Sequence, residues 1–201
     1  MAEAQNLTEL AETALDTHIG PKGGPLDSGV TLSQVRLRTI LNLRGNAEGK
    51  AFVDGVKSAL GVALPLEPNS VSSADGTYIL WLGPDEWLVV SDKDVDELQA
   101  ALQAVIADIH YSAVDLTDNY EVIEISGAKA RWVLAKGWAV DLHPSKFKAG
   151  SCAQSVISHA AVILHQISDE PGYQLYVRPS FAPYLWDWLV DASADVGYRI
   201  G

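Results

Sequence analysis

The sequence predicts an α+β protein of two related βαββα lobes, and three observations lead there. Strand-like and helical segments follow one order, strand, helix, hairpin, helix, and that order occurs twice. Of 201 residues, 48% are apolar, too many for a disordered chain and enough for a sizeable core. No apolar run approaches the roughly 20 residues needed to cross a bilayer. Residues 1–30 are then an N-terminal arm and linker, 31–111 a first lobe and 112–201 a second.

In the arm, Asn6 with Glu9 three residues later reads as a helix start, and Leu7, Leu10, Ala11, Ala14 and Leu15 follow at helical spacing. The stretch DTHIGPKGGPLDSG reads as a flexible linker. Its glycines, Gly20, Gly23, Gly24 and Gly29, form neither a dinucleotide fingerprint nor a phosphate loop. Residues 35–39 alternate as a strand. Phe52, Val56, Ala59 and Leu60 form a helical stripe that Gly61 is placed to stop.

Next comes WLGPDEWLVV (81–90), two strand-forming runs around a Gly-Pro-Asp break, hence a hairpin. Trp81 and Trp87 on a two-stranded ribbon require a covering layer, which makes the hairpin part of the first lobe's core. Val95, Leu98, Leu102, Val105, Ile106 and Ile109 mark a long helix capped by Ser91 or Asp92.

The second half repeats the order. A strand over 120–125 leads to a helix opened by Ser126-Gly127, carrying Trp132, Val133 and Leu134 and ending at Gly137. Cys152–Ile157 adds a strand, and 162–167 with 173–177 form a hairpin. A last helix, capped by Ser180, runs through Phe181, Leu185, Trp188 and Leu189.

Charge and motifs narrow the function classes. Fourteen Lys and Arg against 26 Asp and Glu give a net charge of −12, and the cations are scattered, which disfavours nucleic acid and anionic membranes. The single cysteine, Cys152, permits no intramolecular disulfide, and MAEAQNLTELAETAL lacks the features of a signal peptide, so a cytoplasmic location is expected. His159 and His165 would stand about 20 Å apart on an extended strand. Asp141, His143 and Cys152 lack metal-site spacing, and no metal site is expected. Cys152 reads as a packed thiol, and Asp115 with Asp118 as turn residues bonding to backbone donors. No catalytic or cofactor-binding residue is assigned.

One surface stands out, on the C-terminal helix FAPYLWDWLVDA (181–192). Phe181, Leu185, Trp188, Leu189 and Ala192 complete one apolar stripe, and Trp186 and Val190 open a second face. These two residues are candidates for a subunit interface.

Five segments, LNLRGN (41–46), WLGPDEWLVV, VDLTDNYEVIEISGAKARWVLAKG (114–137), VDLHPSKFKAGSCAQ (140–154) and VRPSFAPYLWDWL (177–189), together resemble the gamma subunits of heterotetrameric sarcosine oxidases. The resemblance runs from about residue 30 to the end. It implies a fold similar to the folate-binding region of glycine-cleavage aminomethyltransferases. It also implies a non-catalytic structural subunit assembled with alpha, beta and delta subunits. The complexes of that family oxidatively demethylate sarcosine to glycine, hydrogen peroxide and a one-carbon unit passed to tetrahydrofolate. Their FAD, covalently held FMN, NAD and zinc belong to the other subunits.

Aminomethyltransferases carry a Gly-Gly-Ile-Leu-Asp-Asp-type strand whose aspartate serves the folate chemistry. Here AAVILHQI (160–167) places His165 and Gln166 where the acids would fall. Neither replaces an anionic carboxylate, so the resemblance implies the scaffold without the catalytic group. Two alternatives stay open: the matching subunit of a sister complex such as N-methylglutamate dehydrogenase, or a stand-alone folate-binding aminomethyltransferase-like protein.

Overall fold

Sheets that are apolar on both faces must be covered on both, and this chain stacks four layers to achieve it. The computed structural model describes residues 13–36 and 38–201. The first repeat contains β1 (Val30–Val35), β2 (Thr39–Gly45), α1 (Lys50–Leu60), β3 (Val71–Ala74), β4 (Thr77–Gly83), β5 (Glu86–Ser91) and α2 (Val95–Ile106). The second contains β6 (Tyr111–Asp115), β7 (Glu121–Ser126), α3 (Ala130–Leu134), β8 (Cys152–Ile157), β9 (Ala160–Ser168), β10 (Gly172–Val177) and α4 (Ala182–Ala192), followed by β11 (Tyr198–Ile200).

The strands form a five-stranded sheet, β3-β4-β5-β2-β6, and a six-stranded sheet, β11-β1-β7-β10-β9-β8. Laid side by side, the two orders are one order. The exception is informative: the first strand of each repeat sits in the other repeat's sheet. β1 pairs antiparallel with β7, Leu32 opposite Ile125, and β6 pairs antiparallel with β2, Ala113 opposite Leu43. Sheet membership therefore cuts across the lobe bounds read from the sequence.

Period-two alternation distributes the side chains among the layers. Ile40, Leu80, Leu88 and Val90 from one sheet meet Val122, Cys152, Ile163 and Tyr176 from the other in a central seam. On the outer face of the five-stranded sheet, Leu41, Leu43, Ile79, Trp87 and Val89 pack with Phe52 and Val56 of α1 and Leu98, Leu102 and Ile106 of α2. On the opposite side, Ile123, Leu164 and Leu175 pack with Val133 of α3 and Leu185 and Leu189 of α4. Trp87 is fully buried, 5.9 Å from the Phe52 ring, and its indole N–H donates to the Pro65 carbonyl at 2.8 Å. Trp81 stands opposite it and is half-buried.

Several local expectations need correction. The strand expected at 35–39 is divided: β1 ends at Val35 and β2 begins at Thr39, in different sheets. Asp94, not Ser91 or Asp92, caps α2 by accepting from the Asp96 amide, because α2 begins only at Val95; Ser91 ends β5, where its hydroxyl is bonded to Thr77 at 2.7 Å, and Asp92 pairs with Arg38. The helix ends at Ile106, so Ile109 lies beyond it. α3 is only five residues long and begins at Ala130, since Gly127 adopts a left-handed φ of 114°. Ser180 lies in a short 3-10 turn over Pro179–Phe181, and α4 has no side-chain cap. Most of the expected N-terminal helix lies outside the described residues.

The linker is strapped down rather than free. Gly23 exchanges backbone hydrogen bonds with Ile200, and at Gly24 a Cβ would lie 2.8 Å from the Arg199 Cα. Gly61, by contrast, ends α1 as expected, with φ 74° and its amide bonded to the Lys57 carbonyl.

Gly55 is buried where α1 meets α2, and a Cβ there would lie 2.2 Å from the Ile106 Cγ2. Glycine-to-alanine in a helix ordinarily stabilises by roughly 0.5–1 kcal/mol. Here overpacking opposes it at about 1–3 kcal/mol. Gly55→Ala is expected to destabilise the chain by roughly 1–2 kcal/mol in urea unfolding; a gain in stability would show that the helices separate freely.

Candidate functional site at the seam and the strand crossing

The chemistry-bearing side chains collect in two places, the seam and the cleft where the exchanged strands cross. Alternation along β9 sends Leu164 toward the helices and His165 into the seam, opposite Cys152 on β8. His165 is 2% exposed, meets the Tyr78 ring edge-on at 5.4 Å, and has no partner for its Nδ1. Burial pushes its pKa down to about 4, so the ring is neutral at physiological pH. Gln166, one residue on, faces the helix side opposite Tyr173 and donates to the Ser168 carbonyl at 3.0 Å. His165 and Gln166 therefore point to opposite faces and cannot act on one ligand together.

Cys152 is fully buried, and burial pushes its thiol up to about 12. Its Sγ lies 3.4 Å from the Trp81 carbonyl oxygen and 3.5 Å from that of Ser70, the contacts of a weak donor in a packed layer. Beside it the buried Tyr176 hydroxyl donates to Gln174 at 3.0 Å, and Gln174 donates to the Glu124 carboxylate at 3.2 Å. Burial raises the Tyr176 pKa as well, so His165, Cys152 and Tyr176 are all neutral in the seam.

The cleft at the crossing has a volume of about 700 Å3, between the chain at 34–40 and the chain at 117–122. Its polar groups are largely engaged with one another. The Glu121 carboxylate accepts from the Ala14 amide at 2.9 Å and from Gln34 at 3.0 Å, and Gln34 also reaches the Thr13 hydroxyl at 2.7 Å. Arg36 pairs with Asp16, and Arg38 with Asp92 at 2.6 Å. Among the described residues the lining contains neither His nor Cys. Such a cleft can hold a polar group but offers it no activated nucleophile.

The interface candidates sit elsewhere. Trp186 is 2% exposed within the helix-side core, and Val190 is half-buried against it. Leu15 of the arm lies fully buried in that same core, and His18 Nε2 meets the Asp187 carboxylate of α4 at 2.8 Å. The second apolar face is thus covered from within the chain. The exposed residues of this region are Phe181, Tyr184, Asp187 and Asp191. Asp115 accepts from the Thr117 amide and hydroxyl at 2.9 and 2.6 Å, a turn residue as read; Asp118 is exposed. Among the described residues no group of three or more His, Cys, Asp or Glu is placed to hold a metal.

The buried His165 couples stability to pH. Its pKa is about 4 folded and about 6.5 unfolded, so between these values the unfolded chain binds the extra proton. The contribution is intact above about pH 6.5, is lost as pH falls toward 4, and changes no further below, on the order of 3 kcal/mol in all. His165→Leu is expected to flatten that part of the stability–pH curve in urea titrations; an unchanged slope would assign it to the carboxylates instead.

A family model described as "Sarcosine oxidase, gamma subunit family" matches residues 44–195. The sarcosine oxidase subunit gamma of Corynebacterium sp. (strain P-1) is 32% identical over 167 residues, covering 83% of this chain and 81% of that one. Among solved structures, the heterotetrameric sarcosine oxidase from Corynebacterium sp. U-96 in complex with pyrrole 2-carboxylate contains a chain that superposes with a TM-score of 0.82 at 27% identity. That match covers 93% of this chain and 96% of that chain. Glycine cleavage system aminomethyltransferase T from Bartonella henselae shares the fold alone, with a TM-score of 0.63 at 14% identity over 86% of this chain and 48% of that chain. By sequence and by fold, the chain belongs to the sarcosine oxidase gamma subunit family.

Proposed function

We propose that this chain is the non-catalytic gamma subunit of a heterotetrameric sarcosine oxidase, working with alpha, beta and delta subunits in the cytoplasm. The observation that carries this reading is the superposition of nearly its whole length on nearly the whole of one chain of such an oxidase. Among the described residues, no helix is long and apolar enough to cross a membrane. On this reading the complex demethylates sarcosine to glycine, hydrogen peroxide and a one-carbon unit taken by tetrahydrofolate. FAD, FMN, NAD and zinc then reside in the other subunits. The lobes at 31–111 and 112–201, with the arm before them, act as one scaffold because each repeat gives its first strand to the other's sheet.

The residues of the seam support a scaffolding role. A neutral His165 and a protonated Cys152, both sealed between sheets, bring neither a general base nor a nucleophile to a substrate. For α4, Trp186 and Val190 stand as the proposed interface pair only together with the exposed Phe181 and Tyr184, since Trp186 itself is covered.

Expressed alone, the chain is expected to be colourless and inactive on sarcosine; a stoichiometric flavin band would overturn the assignment. In the assembled complex, His165→Leu is expected to change kcat by no more than about threefold, less than about 1 kcal/mol of barrier. A hundredfold loss with normal assembly would identify His165 as a participant in the reaction.

A further inference from the structure

The two repeats share one strand order, yet their sheets end differently. In the six-stranded sheet the exchanged strand β1 is covered on its outer edge by β11, with Val30, Thr31 and Leu32 beside Tyr198, Arg199 and Ile200. Among the described residues, its counterpart β6 ends the five-stranded sheet with no strand beside it. The six-stranded sheet thus has a strand at this position and, among the described residues, the five-stranded sheet has none.

The backbone of β6 shows what that edge offers. The Ala113 carbonyl accepts from the Gln99 side chain of α2 at 3.2 Å, so Ala113 turns its polar groups away from β2. Alternation turns those of Tyr111 and Asp115 the same way, while Ser112 and Val114 bond to β2. Soluble proteins guard such edges with proline, lysine or a bulge. The sequence YSAVD contains neither residue, and its pairing with β2 runs without a register shift. Beside the edge lies a groove of about 540 Å3 between α2 and β6, lined by Gln99, Ala100, Gln103, Tyr111 and Ala113.

We propose that β6 receives an extended segment from another subunit, which adds a sixth strand. Charge selects the occupant. Exposed Asp115 ends β6, exposed Asp96 and Asp108 stand in the first turn of α2 and between α2 and β6, and among the described residues the groove lining carries no cation. A second copy would bring the same acids against themselves, and each copy carries a net charge of −12. A partner segment with small or apolar side chains over Ala100 and Ala113 and a basic residue at its ends fits instead. The inference rests on the reading of this chain as a subunit of a larger oxidase.

The test compares hydrogen exchange in residues 111–115 for the isolated chain and for its complex with the alpha, beta and delta subunits. The outward amides of Tyr111, Ala113 and Asp115 are expected to slow by at least about tenfold in the complex. Ala113→Pro removes one outward N–H and leaves the β2 ladder intact, and it is expected to weaken assembly by roughly tenfold or more. Unchanged exchange within an intact complex, or wild-type affinity of the proline variant, overturns the strand addition while leaving the subunit reading in place. Protection of the edge in a dimer of the isolated chain also overturns it, assigning the edge to a second copy. Failure of the wild-type chain to join the other subunits overturns both. The exchange measurement on the wild-type chain decides even where the proline variant does not fold.

Discussion

The reciprocal gift of one strand fixes everything else in this molecule. β1 completes the sheet of the second repeat and β6 that of the first, so the halves cannot separate without breaking two ladders. The far side of the seam is closed by an equally reciprocal pair of bonds. The Cys152 amide donates to the Asn69 carbonyl and the Val71 amide to the Gly150 carbonyl, around a bridge between Ser70 and Ser151. These residues precede equivalent strands, β3 and β8, so an approximate twofold axis runs through the bridge. With both ends tied, the seam between the sheets is held shut.

That closure decides the chemistry. A layer flanked by two sheets excludes water, and desolvation disfavours the charged form of any group within it. His165 and Cys152 are both driven to their neutral forms, by the same cause and in opposite directions along the pH scale. The residues that a catalytic reading would reach for first are thereby spent on packing. Charged groups gather instead at the strand crossing, where Arg36, Arg38 and Glu121 tie the arm and the crossing segments together.

How much of this was legible in the sequence follows from the range of each interaction. The hairpins and β8 show alternation over enough residues to be read locally, and Gly61 announces its own left-handed turn. β6 and β11 are short and partly polar, and their strand character comes from partners far along the chain. The sequence alternation at 35–39 spans the end of β1 and the start of β2 and so reads as one strand. Ser91, Asp92 and Asp94 are all competent caps, and the choice among them turns on how far β5 runs, which its pairing with β2 and β4 sets. Trp186 is buried in a core that also takes in Leu15, far away in sequence, so a helical wheel alone leaves its face open. The strand read at 162–167 already sends His165 and Gln166 to opposite faces, but the seam environment of His165 could not be seen before β9 was set between its neighbours.

The exchange of strands also bears on synthesis. A ribosome releases this chain from its N-terminus, and β2 through β6 can assemble their own sheet as soon as residue 115 is free. β1 emerges earlier than all of them but must wait for β7, and then for β11 at residues 198–200. At roughly 5–20 residues per second, the delay before β7 appears is on the order of 5–20 s. For most of that interval β1 stays unpaired while the five-stranded sheet is still being made, and it finds its first neighbour only when β7 follows the completed β6.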